Sequence, residues 1–108
     1  MLEIPVNLKL EGNQALFVTD LINGNLNSFI IDTDNKIEVI IQSELGYLIF
    51  HRKEVFGNHC FSIRNRISTP VNKAEDILTF DKFLVNEKLN LIFIGPKDTL
   101  INSLIRIE

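Results

Sequence analysis

The chain has 108 residues and a mass of 12.4 kDa, a length that fits one domain, because chains of this size rarely bury enough surface to divide further. Apolar residues make up 45% and charged residues 23%, with only 5 Gly and 3 Pro, which excludes a disordered, collagen-like or low-complexity chain. Eleven Lys and Arg against 14 Asp and Glu give a net charge of -3, so generic attraction to nucleic acid or to an anionic membrane is not expected.

The single Cys60 cannot form an internal disulfide, and the opening Met-Leu-Glu-Ile-Pro-Val lacks the basic and long apolar regions of a signal peptide. Apolar runs such as Leu91 to Ile94 are far shorter than the ~20 residues that span a bilayer as a helix. The chain carries 16 Ile and 12 Asn but only two Ala, Ala15 and Ala74. Ile packs well on a pleated surface and Asn tolerates turn geometry, whereas Ala favours helix, so this balance points to strands and turns.

Alternation begins at once, with Ile4, Val6, Leu8 and Leu10 on one face and Pro5, Asn7 and Lys9 on the other, as in a half-buried strand. Glu11-Gly12-Asn13-Gln14 reads as a turn and Ala15 to Ile22 as a second strand. Asn23-Gly24, both tolerant of positive φ, reads as a hairpin turn returning into Leu26 to Asp32. Asp32-Thr33-Asp34-Asn35 reads as another turn. Lys36 to Gln42 then places Ile37, Val39 and Ile41 inward, and Ser43-Glu44-Leu45-Gly46 leads into a strand from Tyr47 to His51.

Arg52 to Asn58 reads as a polar, Gly-containing connection. In the strand that follows, His59 to Arg66, the residues Cys60, Ser62, Arg64 and Arg66 share a face opposite Phe61, Ile63 and Ile67. Ile67 to Asp76 contains Pro70, has no period of two, and reads as a long loop. Residues 72–85 stay open: Asn72 with Glu75 suits a capping box and Ile77, Phe80 and Leu84 lie at helical spacing, while Thr79, Phe80, Phe83 and Val85 suit a strand. Lys88 to Ile94 is a strand, Gly95-Pro96-Lys97-Asp98 a turn, and Thr99 to Ile107 a strand with Ile101, Ser103, Ile105 and Ile107 together. About eight short strands without repeat or linker predict a mainly all-β domain over 1–108, an antiparallel two-sheet β-sandwich.

Residues with chemical potential are few. Asp32-Thr33-Asp34-Asn35 begins like a calcium loop, but Lys36 and Ile37 stand where an oxygen ligand and Gly are needed, so turn chemistry explains it better. His51, His59 and Cys60, with Glu54, are the available zinc ligands, yet adjacent His59 and Cys60 should point to opposite faces of a strand. A buried Cys60 acting as a small hydrophobe is the expectation, and neither a metal nor another cofactor is expected. No Gly-x-Ser-x-Gly elbow or Gly-rich phosphate loop occurs, and the expectation is a protein that is not an enzyme.

Arg52, Lys53, Arg64 and Arg66 form the basic concentration of the chain. That face lacks the interleaved aromatics of a nucleic-acid site, so these four residues are candidate protein-interface residues, Arg being a frequent interface anchor. Phe17, Phe29, Phe50, Phe61 and Phe93 fall within strands and are expected in the core.

Two segments carry a resemblance: Ser43-Glu44-Leu45-Gly46-Tyr47-Leu48-Ile49 before a basic turn, and Phe83 to Pro96 (FLVNEKLNLIFIGP) before a C-terminal strand. Together they resemble small β-sandwich accessory and structural proteins of tailed-bacteriophage virions. The resemblance implies a non-enzymatic virion component of head, neck, tail or baseplate, acting through contacts with other subunits and with its own copies. Outside that resemblance, a cytoplasmic location is expected. The alternative is a small-ligand or carbohydrate-binding β module using Tyr47, His51 and the Ile67 to Asp76 loop, although without Trp and with a single Tyr the chain has few rings to stack on a sugar.

Overall fold

A computed structural model of the chain describes residues 2–62 and 83–108. Its described part is all-β and antiparallel: β1 (Leu2–Lys9), β2 (Gln14–Val18), β3 (Ile22–Ser43), β4 (Leu48–Ser62), β5 (Phe83–Glu87), β6 (Leu89–Ile94) and β7 (Leu100–Ile107). The expected all-β antiparallel class is what is found. In place of two separate sheets, the seven strands share one continuous hydrogen-bonded sheet.

β3 organises that sheet. Along one edge it pairs with β5 over Ile22 to Leu26 and with β4 over Ser28 to Gln42. Along the other it pairs with β7 over Leu26 to Thr33 and with β6 over Glu38 to Ser43. β1 adds to β7, and β2 adds to β6. One half of the sheet therefore runs β1–β7–β3–β4 and the other β2–β6–β3–β4, with β3 and β4 common to both.

The 22 residues of β3 would reach about 75 Å if straight, at the usual ~3.4 Å rise, yet the longest dimension of the molecule is 34 Å. The strand must bend, and its register shifts show where: at Leu26/Ser28, Thr33/Ile37, Ile37/Val39 and Ile41/Gln42. Between the pairs Thr33–Gly57 and Ile37–Val55, β3 advances four residues while β4 advances two. This double bulge curls the sheet into a half-barrel, the device by which one strand turns a corner between packed layers.

Three turns expected from sequence are corrected here. Asp32 to Asn35 lies inside β3 and supplies the bulge rather than a reversal. Thr33 Oγ1 donates to the Asn35 carbonyl at 2.9 Å, and Asp34 Oδ1 accepts from the Leu100 amide at 2.9 Å, so the turn-forming side chains knit the bend. Asn23-Gly24 is also inside β3, paired with Asn86 and Val85. The expected connection from Arg52 to Asn58 is strand, the middle of the 15-residue β4, with Gly57 at φ 77° opposite Thr33. β2 stops at Val18, before the expected Ile22. The expected turns at 11–14, 43–46 and 95–98 do separate strands, apart from Gln14, which opens β2, and Ser43, which closes β3.

The concave side holds the core. Val6 and Leu10 are buried with Ile4 and Leu8 packed against them, and Ile37, Val39, Ile41, Ile101, Ser103, Ile105 and Ile107 are all buried, as the period of two requires. Phe29, Phe50 and Phe93 are buried, while Phe17 and Phe61 pack at the core margin. Phe29, Phe50 and Phe61 form an aromatic triangle with ring centroids 4.9 to 6.5 Å apart, within the range in which aromatic pairs add to simple burial. The expectations for 63–82, including the rest of the His59 to Arg66 strand, the loop from 67 to 76 and most of the helix-or-strand question over 72–85, lie outside the described residues; 83–85 belongs to β5.

Candidate functional site: two unlike outer faces

An antiparallel sheet with one buried face is expected to alternate apolar inward and polar outward. The β2–β6–β3–β4 half does not. Its register aligns Leu16, Ile92, Ile40 and His51 as one row across the four strands on the outer side. In the flanking row on one side Val18 and Leu48 stand at the two ends with Asn90 and Gln42 between them, and on the other side Ile94 stands between Gln14 and Glu38. Leu16 is 60% exposed and Val18 49% exposed, while Ile40, Ile92 and Ile94 are half-buried.

Two of the polar groups in this half, His51 and Glu38, pair with each other. His51 Nε2 lies 2.5 Å from Glu38 Oε2, with side chains 19% and 33% exposed. Since a hydrogen-bonded pair among apolar neighbours loses less on desolvation than either group alone, the row reads as a surface fit for coverage. Sequence reasoning missed it, although the signal was present: Leu16-Phe17-Val18, Ile40-Ile41 and Leu91-Ile92-Phe93-Ile94 are apolar at successive positions, hence on both faces.

The outer side of the β1–β7–β3–β4 half is the opposite. Asn7 pairs with Asn102, Asn102 with Asp32, and Asp32 with Asn58, giving a row of three amides and one carboxylate across four strands. All four are exposed. The adjoining row is Pro5, Leu104, Ile30 and Cys60, and the two rows, Cys60 apart, line a shallow depression.

The residues singled out from sequence are scattered. Arg52 is half-buried on the inner side of β4, its guanidinium 5.2 Å from the centre of the Phe61 ring, in cation–π range. Lys53, next to it, is exposed. Arg64 and Arg66 lie outside the described residues. His59 stacks on Phe61 at 5.6 Å and donates through Nε2 to the Phe56 carbonyl at 2.8 Å, whereas His51 is engaged with Glu38. Cys60 is exposed, a correction to the expected buried thiol; it stands in the outward row at the end of β4. Among the described residues, no three His, Cys, Asp or Glu side chains converge as a metal site. Tyr47 is 69% exposed, in the connection between β3 and β4. No helix among the described residues is long and apolar enough to cross a membrane.

No protein-family model matches the chain, and a search of curated proteins finds no match. Among solved structures, the chain is similar to part of a "putative alpha-L-fucosidase" from Bacteroides thetaiotaomicron, at 9% sequence identity and a TM-score of 0.46. The similarity covers 94% of this chain, which spans 22% of the length of that one.

Proposed function

We propose that this chain is a non-enzymatic structural subunit of a multi-subunit particle, working through protein–protein contacts. The carrying observation is the outward apolar row of Leu16, Ile92 and Ile40, on a sheet whose other side is already fully occupied by the core. Contiguous apolar surface of this kind marks interaction sites in folded proteins. Among the described residues, β1, β2, β4 and β5 each pair with a single strand, and edges of this kind offer backbone donors and acceptors that a neighbouring subunit can engage. The resemblance of residues 43–49 and 83–96 to tailed-phage accessory proteins supplies the most concrete particle, a virion, with this chain in its head, neck, tail or baseplate.

The test is the mass of the untagged protein in a gentle lysate of its own source, read by sedimentation and mass spectrometry. The expected result is migration with a large particle, and release of an Ile40→Glu/Ile92→Glu variant as a folded monomer. Wild-type protein sedimenting as a 12.4 kDa monomer, or a double variant still incorporated, overturns the reading.

A further inference from the structure

We infer that the outer face of the β1–β7–β3–β4 half binds a neutral glycan, laid across the strands along the row Asn7–Asn102–Asp32–Asn58. This site is separate from the apolar face on which the assembly reading rests, and each stands or falls alone.

Asn and Asp are depleted in strands, where they lack the branched or aromatic bulk that packs on a pleated surface. One such residue in mid-strand needs little explanation. Here four of them, from β1, β7, β3 and β4, are placed side by side by register, and Pro5, another strand-disfavoured residue, stands in the next row. A set of residues that all work against local preference and all meet at one place is the pattern expected where function overrides folding.

The chemistry of the row selects its ligand. Each Asn offers an amide NH2 with two donors and a carbonyl oxygen with two acceptor positions, and Asp32 adds an acceptor-only carboxylate. Asn7 is already oriented: its Oδ1 accepts from the Ser103 amide at 3.2 Å, which turns its NH2 away from that bond. Neighbouring cations are engaged elsewhere, Lys9 with Asp98 at 3.8 Å and Arg106 with Glu3 at 3.0 Å. Among the described residues, the cations on this side, Lys9 and Arg106, are each paired with a carboxylate and Asp32 stands among the amides, a balance that disfavours phosphate, nucleic acid and acidic sugars. It favours a neutral molecule rich in groups that both donate and accept.

Two such molecules are a polypeptide backbone and a polyhydroxylated chain, and spacing separates them. The amides recur at the strand spacing, about 4.8 Å, whereas an extended peptide presents like-facing groups every two residues, about 6.7 Å. A glycan chain repeats once per pyranose unit, close to the strand spacing, and the vicinal hydroxyls of each unit match an amide used as donor and acceptor together. The parallel row of Pro5, Leu104 and Ile30 provides an aliphatic shelf for the C–H face of the rings, in the place that aromatic rings fill in other sugar sites. The missing Trp is therefore not an obstacle to this mode.

The experiment is a titration of the 15N-labelled protein with soluble neutral oligosaccharides long enough to cross four strands, covering gluco-, xylo-, manno- and N-acetylglucosamine series. At least one series is expected to shift the side-chain amide signals of Asn7, Asn58 and Asn102 together and saturably. A double variant, Asn58→Thr/Asn102→Thr, replaces two amides that donate and accept through separate atoms with single hydroxyls, and is expected to weaken binding roughly tenfold or more. The same variant should melt at an equal or higher temperature, because Thr suits a strand better than Asn. No response in any series, shifts mapping elsewhere, equal binding of a sulfated oligosaccharide, or unchanged affinity in the double variant each overturns the proposal.

Discussion

Gly24 shows how one residue type can be read for the wrong property. Next to Asn23 it has the signature of a tight turn, which uses glycine for positive φ. In the fold it lies in β3 beside the C-terminal strand, where a Cβ would stand 2.6 Å from Ile107 Cγ2 and 2.7 Å from the Glu108 carbonyl oxygen. Glycine is required there for close approach of two backbones, not for its dihedral range. The contact is held on both sides by hydrogen bonds between Asn25 and Glu108, 2.7 Å in one direction and 2.8 Å in the other. Gly24→Ala should therefore cost about 1–3 kcal/mol, the range for overpacking a site that cannot relax. Gly12→Ala, where an added Cβ meets nothing within 4 Å, is the control. Chemical denaturation of the two variants checks this; equal midpoints would show that the Glu108 end of the sheet moves aside freely.

Thr19 is a second residue whose role only tertiary structure reveals. It is 3% exposed, its amide donates to the Leu89 carbonyl, and its hydroxyl accepts from the Leu89 amide at 2.9 Å while donating to Asp20. One side chain thus continues the β2–β6 ladder past the end of β2, leaving no buried amide unsatisfied at that junction.

At the scale of the element, the double bulge in β3 decides the shape of the sheet. Because side chains alternate faces, deletion of one residue turns every later inward position outward. Deleting Asn35 alone should place Ile37, Val39 and Ile41 in solvent and abolish folding. Deleting Asp34 and Asn35 together keeps those three inward, and loses the bend and the Asp34–Leu100 hydrogen bond. The longer deletion should be the less damaging one. Circular dichroism and thermal melting of both variants test this, and a stable single-residue deletion would mean that the register of β3 is not fixed by its buried face.

The same element explains what could be read from the sequence and what could not. Inward positions such as Val6, Ile37, Val39, Ile101 and Ile105 were legible because the period of two is a local property. The bend was not, because Asp-Thr-Asp-Asn has the same composition whether it reverses a chain or bulges within a strand. Neither outer row was legible as a row: Asn7, Asn102, Asp32 and Asn58 come from four strands, and only the register of three ladders makes them neighbours. What the sequence did carry was the anomaly in each strand, apolar residues on both faces of β6 and an amide, Asn102, within β7.

At the scale of the whole molecule, the topology is strongly non-local. β1 has β7 as its pairing strand, with Leu2 opposite Ile107, so the beginning and end of the described chain must meet before that part of the sheet exists. Such closure of long loops precedes any reward from pairing and slows folding. Refolding from denaturant should be complete in milliseconds to seconds, the range of other β-rich folds of high contact order. Stopped-flow fluorescence of Tyr47 or far-ultraviolet circular dichroism measures it, and a refolding time in microseconds would point to a nucleus made of local hairpins alone.

β3 pairs directly with β4, β5, β6 and β7, and this makes the position of a backbone break matter more than its number. A nick in the connection at 11–13 or at 95–98 leaves every ladder whole and yields two pieces that the sheet itself holds together, the arrangement on which fragment complementation depends. A nick within β3 parts the strand that both halves share along both of its edges. The molecule is divisible at its turns and indivisible along its spine.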